Sequence, residues 1–367
     1  MNRRIATAVA TILLGIPAAA SCTQPQPGVS DTVVAPAVRE YARTHGFSGT
    51  VLVERQGRTI FRGEFGLADR VFDVPVGRDT RFWIASITKL FTSVLVLQLV
   101  DEGKLDLHAP IRRYLPDYAG EGADRVIVAQ LLGHTSGLEQ YEPVTSYEEA
   151  VTRGMEVYQL PHAPAELLTR YASGHLVHEP GTTFDYNNAD YIVLGAIVER
   201  VTSARYEEAL VRRILGPLGL TSTGVARAQA ITPRLAPTYM RADSAAPLLR
   251  DLPVYPENWW AAGAMYSTAD DLLVFARALY GGQLLRPATQ RAMLTPGLDE
   301  YGYGLWVATQ EVGTTEHRFA QRPGRIMGAN VTLLRYLDDD VTIIILGNTN
   351  VADIDAFGFF IGRTVLR

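Results

Sequence analysis

Lysine is nearly missing from this chain. Of its 34 basic residues only Lys89 and Lys104 are lysine, and the rest are arginine. Arginine keeps its proton at any working pH, while a desolvated lysine can release its own. A chain this sparing with lysine raises the question of what each retained amine does. Cysteine is scarcer still: Cys22 stands alone, which excludes an internal disulfide. Charge of one sign is not in excess either. The net charge is −5 over 367 residues, with no basic stripe, so the footprint of a nucleic-acid binder is missing. Metal signatures are also missing, since neither H-E-x-x-H nor H-x-x-E-H occurs. His175 and His178, in HLVHEP, have no third ligand at a telling spacing and read as solvated histidines. No metal and no organic cofactor is implied.

What is present is the composition of a globular protein, 47% apolar and 20% charged, long enough for one large domain or two interleaved ones. MNRR followed by the apolar run IATAVATILLGIPAAA reads as an export signal over residues 1–22. Two fates of its end stay open. Cys22 is placed for cleavage just before it and lipidation, a membrane tether; Ala18-Ala19-Ala20 offers plain cleavage. Residues 23–35, rich in Pro, Ser, Thr and Gln, read as a linker.

A short helix is predicted over Ala37–His45. Gly49–Arg55 and Thr59–Phe65 flank Gln56-Gly57-Arg58 as a hairpin. From Ser86 to Glu102 the apolar pattern fits a buried helix closed by Gly103. Further helices are predicted over Ala189–Val201 and Tyr206–Leu215, and from an N-cap at Ser267 to Tyr280. Strands follow at Gly302–Ala308, Asn330–Tyr336 and Val341–Leu346, the last two joined by Asp338-Asp339-Asp340, and a helix over Ile354–Val365. The fold class is therefore α+β: an antiparallel sheet built from both termini and flanked by helices, with an α-rich insertion. The sheet part is assigned to 36–85 and 226–367, the helical part to 86–225.

Lys89 lies three residues after Ser86 in WIASITKL, the only S-x-x-K in the chain. On a helix that spacing puts both side chains on one face, one turn apart. A serine in the first helical turn has a backbone N–H free to hold an oxyanion. Its hydroxyl is a weak nucleophile until a base takes the proton, and a desolvated lysine can be that base. Tyr186 and Asn188, in FDYNNADY, form the only Tyr-x-Asn among 17 tyrosines. A tyrosine beside an ammonium can shuttle protons, and an asparagine amide can donate to a substrate carbonyl or hold the lysine.

Together, WIASITKL, LLGHTSGL, EPGTTFDYNNADYIVLGAIVERVT, ILGPLGL, AMYSTADDLLVFARAL and YGYGLWV resemble, in order, the serine β-lactamase and penicillin-binding-protein-like family. The nearest branch is the class C β-lactamases with their D-peptidase and esterase relatives. The resemblance implies Ser86 as nucleophile, Lys89 as its base partner and Tyr186 as proton relay. The family's third motif, Lys-Thr-Gly or His-x-Gly on a strand beside the site, is altered here. The candidate is Arg322-Pro323-Gly324, with a register starting at Gln321 as the alternative. Arg322 is expected to hold a substrate carboxylate bidentately, since it cannot accept a proton. Pro323 removes a strand N–H. The N–H of Arg325 is the implied second oxyanion donor. Gly133-His134-Thr135-Ser136-Gly137 is not a G-x-S-x-G elbow, because Ser136 comes one place late. Trp259-Trp260 and Tyr255 read equally as cleft wall or as core.

The implied function is an exported serine hydrolase working through an acyl-enzyme on ester or amide bonds of small molecules or peptides, including peptides with a D-residue or a free carboxylate. A β-lactamase, a D-Ala carboxypeptidase and a catalytically silent sensor remain as alternatives.

Overall fold

Two distant stretches of alternating apolar residues build one sheet. The computed structural model describes residues 29–140 and 147–367. The export signal, Cys22 and the first part of the linker lie outside the described residues. β1 (Gly49–Arg55) and β2 (Arg58–Phe65) form the expected hairpin. β3 (Trp306–Val312), β4 (Thr315–Ile326), β5 (Ala329–Tyr336) and β6 (Val341–Gly347) form a C-terminal meander. β6 closes onto β1, with Val341 opposite Arg55 and Gly347 opposite Gly49. The order β3-β4-β5-β6-β1-β2 is antiparallel throughout, so the two termini do share one sheet.

Successive side chains of a strand point to opposite faces, and both faces here are covered. α1 (Val29–Thr44) and α5 (Ile354–Leu366) cover one face, with Val51, Val53, Phe319, Leu334, Ile343 and Ile345 beneath them. The other face turns Leu52, Ala320, Val331, Leu333, Ile344 and Leu346 toward the helical body. That body contains α2 (Thr88–Asp101), α3 (Asn188–Thr202) and α4 (Ala269–Tyr280). α2 is apolar on all sides and buried along most of its length, the condition that can desolvate a lysine. Among the described residues no helix is long and apolar enough to cross a membrane.

Several expectations are corrected. The linker ends earlier than residue 35, because α1 begins at Val29. Val34, Val38 and Ala42, four apart, bury one face of it, and this packing tolerates Pro36 inside the helix. The strand expected at Gly302–Ala308 starts only at Trp306. Gly304 (φ +92°) turns the chain, and Gly302 runs so close to Met293 O that a Cβ would lie 2.3 Å away. α4 is capped by Thr268, whose side chain accepts from Asp271 N, while Ser267 ends a short strand.

Candidate active site

Ser86 is placed by a strained turn. The short strand Phe82–Trp83 pairs with Met265–Ser267, and Ile84 N donates to Met265 O. Ala85 then takes φ +45°, the left-handed region that costs a non-glycine residue about 1 kcal/mol. A 3-10 turn, Ala85–Ile87, follows, and α2 starts at Thr88, two residues later than the pattern predicted. The turn lifts Ser86 out of the buried run: it is only partly buried, while Ile84, Ala85 and Ile87 are fully buried.

Lys89 is fully buried, and its Nζ meets three acceptors: Asn188 Oδ1 at 2.6 Å, Ala262 O at 3.0 Å and Ser86 Oγ at 3.3 Å. Three acceptors match the three N–H groups of an ammonium. Asn188 therefore holds the lysine, and it also lines the cavity in front of Ser86. It is set by the cap of α3, where the Asn187 side chain accepts from Ala189 N.

The Tyr186 hydroxyl donates to Ser86 Oγ at 2.8 Å. Two cations flank its ring, Lys89 Nζ at 4.8 Å and the Arg322 guanidinium at 5.1 Å from the centroid. Burial pushes the Tyr186 phenol up, but the Arg322 and Lys89 charges outweigh it and pull the phenol below its ordinary value.

Arg322 does not act as the sequence suggested. It is 1% exposed and spends all three nitrogens inside the protein. Nε donates to Ser86 O at 2.8 Å, one terminal nitrogen to Tyr301 Oη at 2.7 Å, and the other to Tyr186 Oη. It lies behind the phenol rather than in the cavity, so the expected carboxylate fork is corrected to a strut.

Strand alternation explains how β4 serves the site. Arg322 shares its face with Ala320 and Ile326, which turn toward the helical body. Gln321 and Arg325 turn the other way, and both bond Asp355 on α5. Of the two candidate starts of the third motif, Arg322 turns toward Ser86 and Gln321 turns away from it. Arg318 O accepts from Leu337 N on the β5 side, so the main-chain groups of residues 319, 321, 323 and 325 face the other edge. β3 covers that edge only as far as Gln321, opposite Trp306. Beyond it, the N–H of Arg325 faces the cavity, and Pro323 supplies no N–H there. Gly324 presses against the Ser86 turn: a Cβ would lie 2.7 Å from Ile84 O and 3.0 Å from Ser86 N.

A cavity of about 500 Å³ opens in front of Ser86, lined also by Tyr186, Asn188 and residues 325–327. Its far wall consists of Tyr158, Tyr171 and Trp259, with Tyr158 stacked on Trp259 at 3.6 Å. Trp259 is thus cleft wall and Trp260 is core, against Tyr206. Tyr255 is half-buried and lies outside the lining, with its N–H on Tyr158 O. Sequence reasoning missed Tyr158 and Tyr171, which no motif marks. It also missed Tyr301, although YGYGLWV contains it. His134 and Ser136 are fully buried against Asp190, Nδ1 at 2.8 Å and Oγ at 2.5 Å, and do not reach the cavity. Burial pushes the Asp190 carboxyl well up and the His134 imidazole well down, so it favours the uncharged form of each, and the imidazole packs against the Tyr186 ring. His175 is mostly exposed, 3.7 Å from Glu121.

The chain is similar in sequence and in fold to several known proteins. The sequence model of the family described as Beta-lactamase matches residues 34–357. Protein Rv1367c of Mycobacterium tuberculosis is 34% identical over 72% of this chain and 71% of its own length. Esterase EstB of Burkholderia gladioli is 30% identical over 81% of this chain and 85% of its own. The structure of a D-stereospecific amidohydrolase from Streptomyces superposes with a TM-score of 0.75 at 27% identity, covering 91% of this chain and 97% of that one.

Proposed function

The chain belongs to the β-lactamase family, and we propose that it is a serine hydrolase of that family, cleaving esters or amides through an acyl-enzyme on Ser86. The observation that carries this reading is the Tyr186 hydroxyl, 2.8 Å from Ser86 Oγ and flanked by two cations. In its ionised form, which the two cations favour, Tyr186 takes the Ser86 proton as Oγ attacks the carbonyl carbon. Lys89, an ammonium with three acceptors, stabilises the phenolate and holds Oγ in place. The oxyanion forms between the N–H groups of Ser86 and Arg325, preorganised donors worth several kcal/mol in such sites. Tyr186 then returns the proton to the leaving group, and a water repeats the sequence to release the acid.

A serine-reactive fluorophosphonate is expected to label the wild-type protein and leave Ser86→Ala unlabelled, read by intact-protein mass. Equal labelling of both would remove Ser86 from the mechanism. No labelling of either would favour the silent, binding-only alternative.

Export is part of the proposal, supported by the charged start and the apolar run before Cys22. Mass spectrometry of the protein from its own cells is expected to find an N-terminus at a lipid-modified Cys22 or just after Ala20. An intact Met1 would sink it.

A further inference from the structure

We propose that this site selects substrates with no carboxylate beside the scissile bond: neutral esters and amides bearing an apolar or aromatic acyl group. The proposal rests on Ser86 being the nucleophile. It follows from where the cations of the site point. A carboxylate drawn into a cleft needs a charged or multiply hydrogen-bonding partner, or it stays in water.

Among the described residues, no cation around Ser86 stands in the cavity without an acidic or hydrogen-bonded partner. Arg322 is 1% exposed and braces Ser86 O, Tyr301 and Tyr186. Swinging it outward would strip Tyr186 of one of its two cations and leave the carbonyl of the nucleophile's own residue without this donor. Lys89 is fully buried on its three acceptors. Arg325 borders the cavity through its backbone, but its side chain crosses to the opposite face of the sheet and pairs with Asp355. Pro323, on the edge that faces the cavity, has no N–H to offer. The remaining lining guanidinium, Arg153, is paired with Glu149 one helical turn away, and Glu149 lines the cavity too. A carboxylate brought to Arg153 would meet Glu149 as a like charge.

Apart from Glu156, which pairs with Arg170, the rest of the wall is mostly apolar or aromatic. Trp259 and Tyr158 present a stacked aromatic pair, and Tyr171, Met155 and Met327 complete an apolar surface around it. A cavity of about 500 Å³ has room for a phenyl-sized group there. Dispersion and burial reward such a group, whereas an anion has no partner to replace its water.

The test uses the intact protein and a matched pair, the benzoyl-D-alanyl thioester of thioglycolic acid and its methyl ester. Each rate is normalised to that substrate's own hydroxide-catalysed hydrolysis. The methyl ester is expected to have a kcat/KM at least about tenfold above that of the free carboxylate. Equal rates, or a preference for the carboxylate, would overturn the proposal. Replacing benzoyl by acetyl in the methyl ester is expected to lower kcat/KM about tenfold, and an unchanged value would overturn its apolar part. Fluorophosphonate labelling of Ser86 separates the two levels. Labelling with a carboxylate preference refutes the selectivity alone, while no labelling refutes the nucleophile on which it rests.

Discussion

Lys89→Met is expected to lower kcat/KM for a neutral aryl ester by about a thousandfold or more. A buried general base contributes some hundredfold to ten-thousandfold, and one preorganised electrostatic donor a hundredfold to a thousandfold. As an ammonium Lys89 supports both: it favours the ionised form of the base Tyr186, whose ring centroid lies 4.8 Å away, and its Nζ donates to Ser86 Oγ. Methionine matches the lysine stem in volume, so the α2 packing survives. The Asn188 Oδ1 and Ala262 O acceptors would each lose a donor, at about 1–3 kcal/mol apiece, so the thermal midpoint is expected to fall too. Activity must therefore be read below that midpoint, with near-UV circular dichroism as the check on folding. A folded variant within tenfold of wild type would show that the amine is structural only.

Arg322→Met is expected to cost on the order of a hundredfold in kcat/KM at pH 7 and to regain much of it at alkaline pH. The direction follows from the phenol. Tyr186 works as the phenolate, so the rate rises with pH through the pKa of the phenol. Burial raises that pKa, and the Arg322 and Lys89 charges lower it further than burial raises it. Without Arg322 the largest influence opposing burial is gone, so the acidic limb of the pH profile moves to higher pH. Arg322→Lys keeps a cation but cannot brace Ser86 O, Tyr301 and Tyr186 at once, and its limb is expected between the two. Profiles of kcat/KM from pH 5 to 10 decide the matter. An unmoved limb in Arg322→Met would separate the guanidinium from the phenol's ionisation and leave it as packing.

Positions 89 and 322 carry different cations for a physical reason. Position 89 lies in a helix apolar on all sides, where a short point charge with three donors fits between Ser86, Asn188 and Ala262. A planar fork would not enter there. Position 322 has three acceptors fanned around it, Ser86 O, Tyr301 Oη and Tyr186 Oη, and a guanidinium spans them. The two cations differ because their acceptor sets differ.

The motifs Ser86-x-x-Lys89 and Tyr186-x-Asn188, read together with the family resemblance, named residues that the structure brings together around Ser86 Oγ. Helical periodicity and motif order are local properties, visible in one dimension. The hairpin of β1 and β2, the last strands and the final helix were legible for the same reason. β4 was not legible as an element. Its proline and glycine punctuate the pattern, and neighbours on both sides override local propensity there. The aromatic wall was unreadable as well, since Tyr158, Tyr171 and Trp259 come from separate segments that meet only in the fold.

By itself, then, the sequence determined the fold class, the family and the pair of motifs around the nucleophile. The motifs are written in spacings of a few residues along a single element, the fold class in the order of the elements, and the family in the resemblance of six ordered stretches. Only the tertiary structure decided which way the third-motif cations point. A strand alternates faces at every residue, so Arg322 and Arg325 look alike in sequence. Yet one is driven under the nucleophile and the other across the sheet to Asp355. That placement, and not the count of arginines, is what leaves the cavity without a free cation among the described residues and the phenol between two.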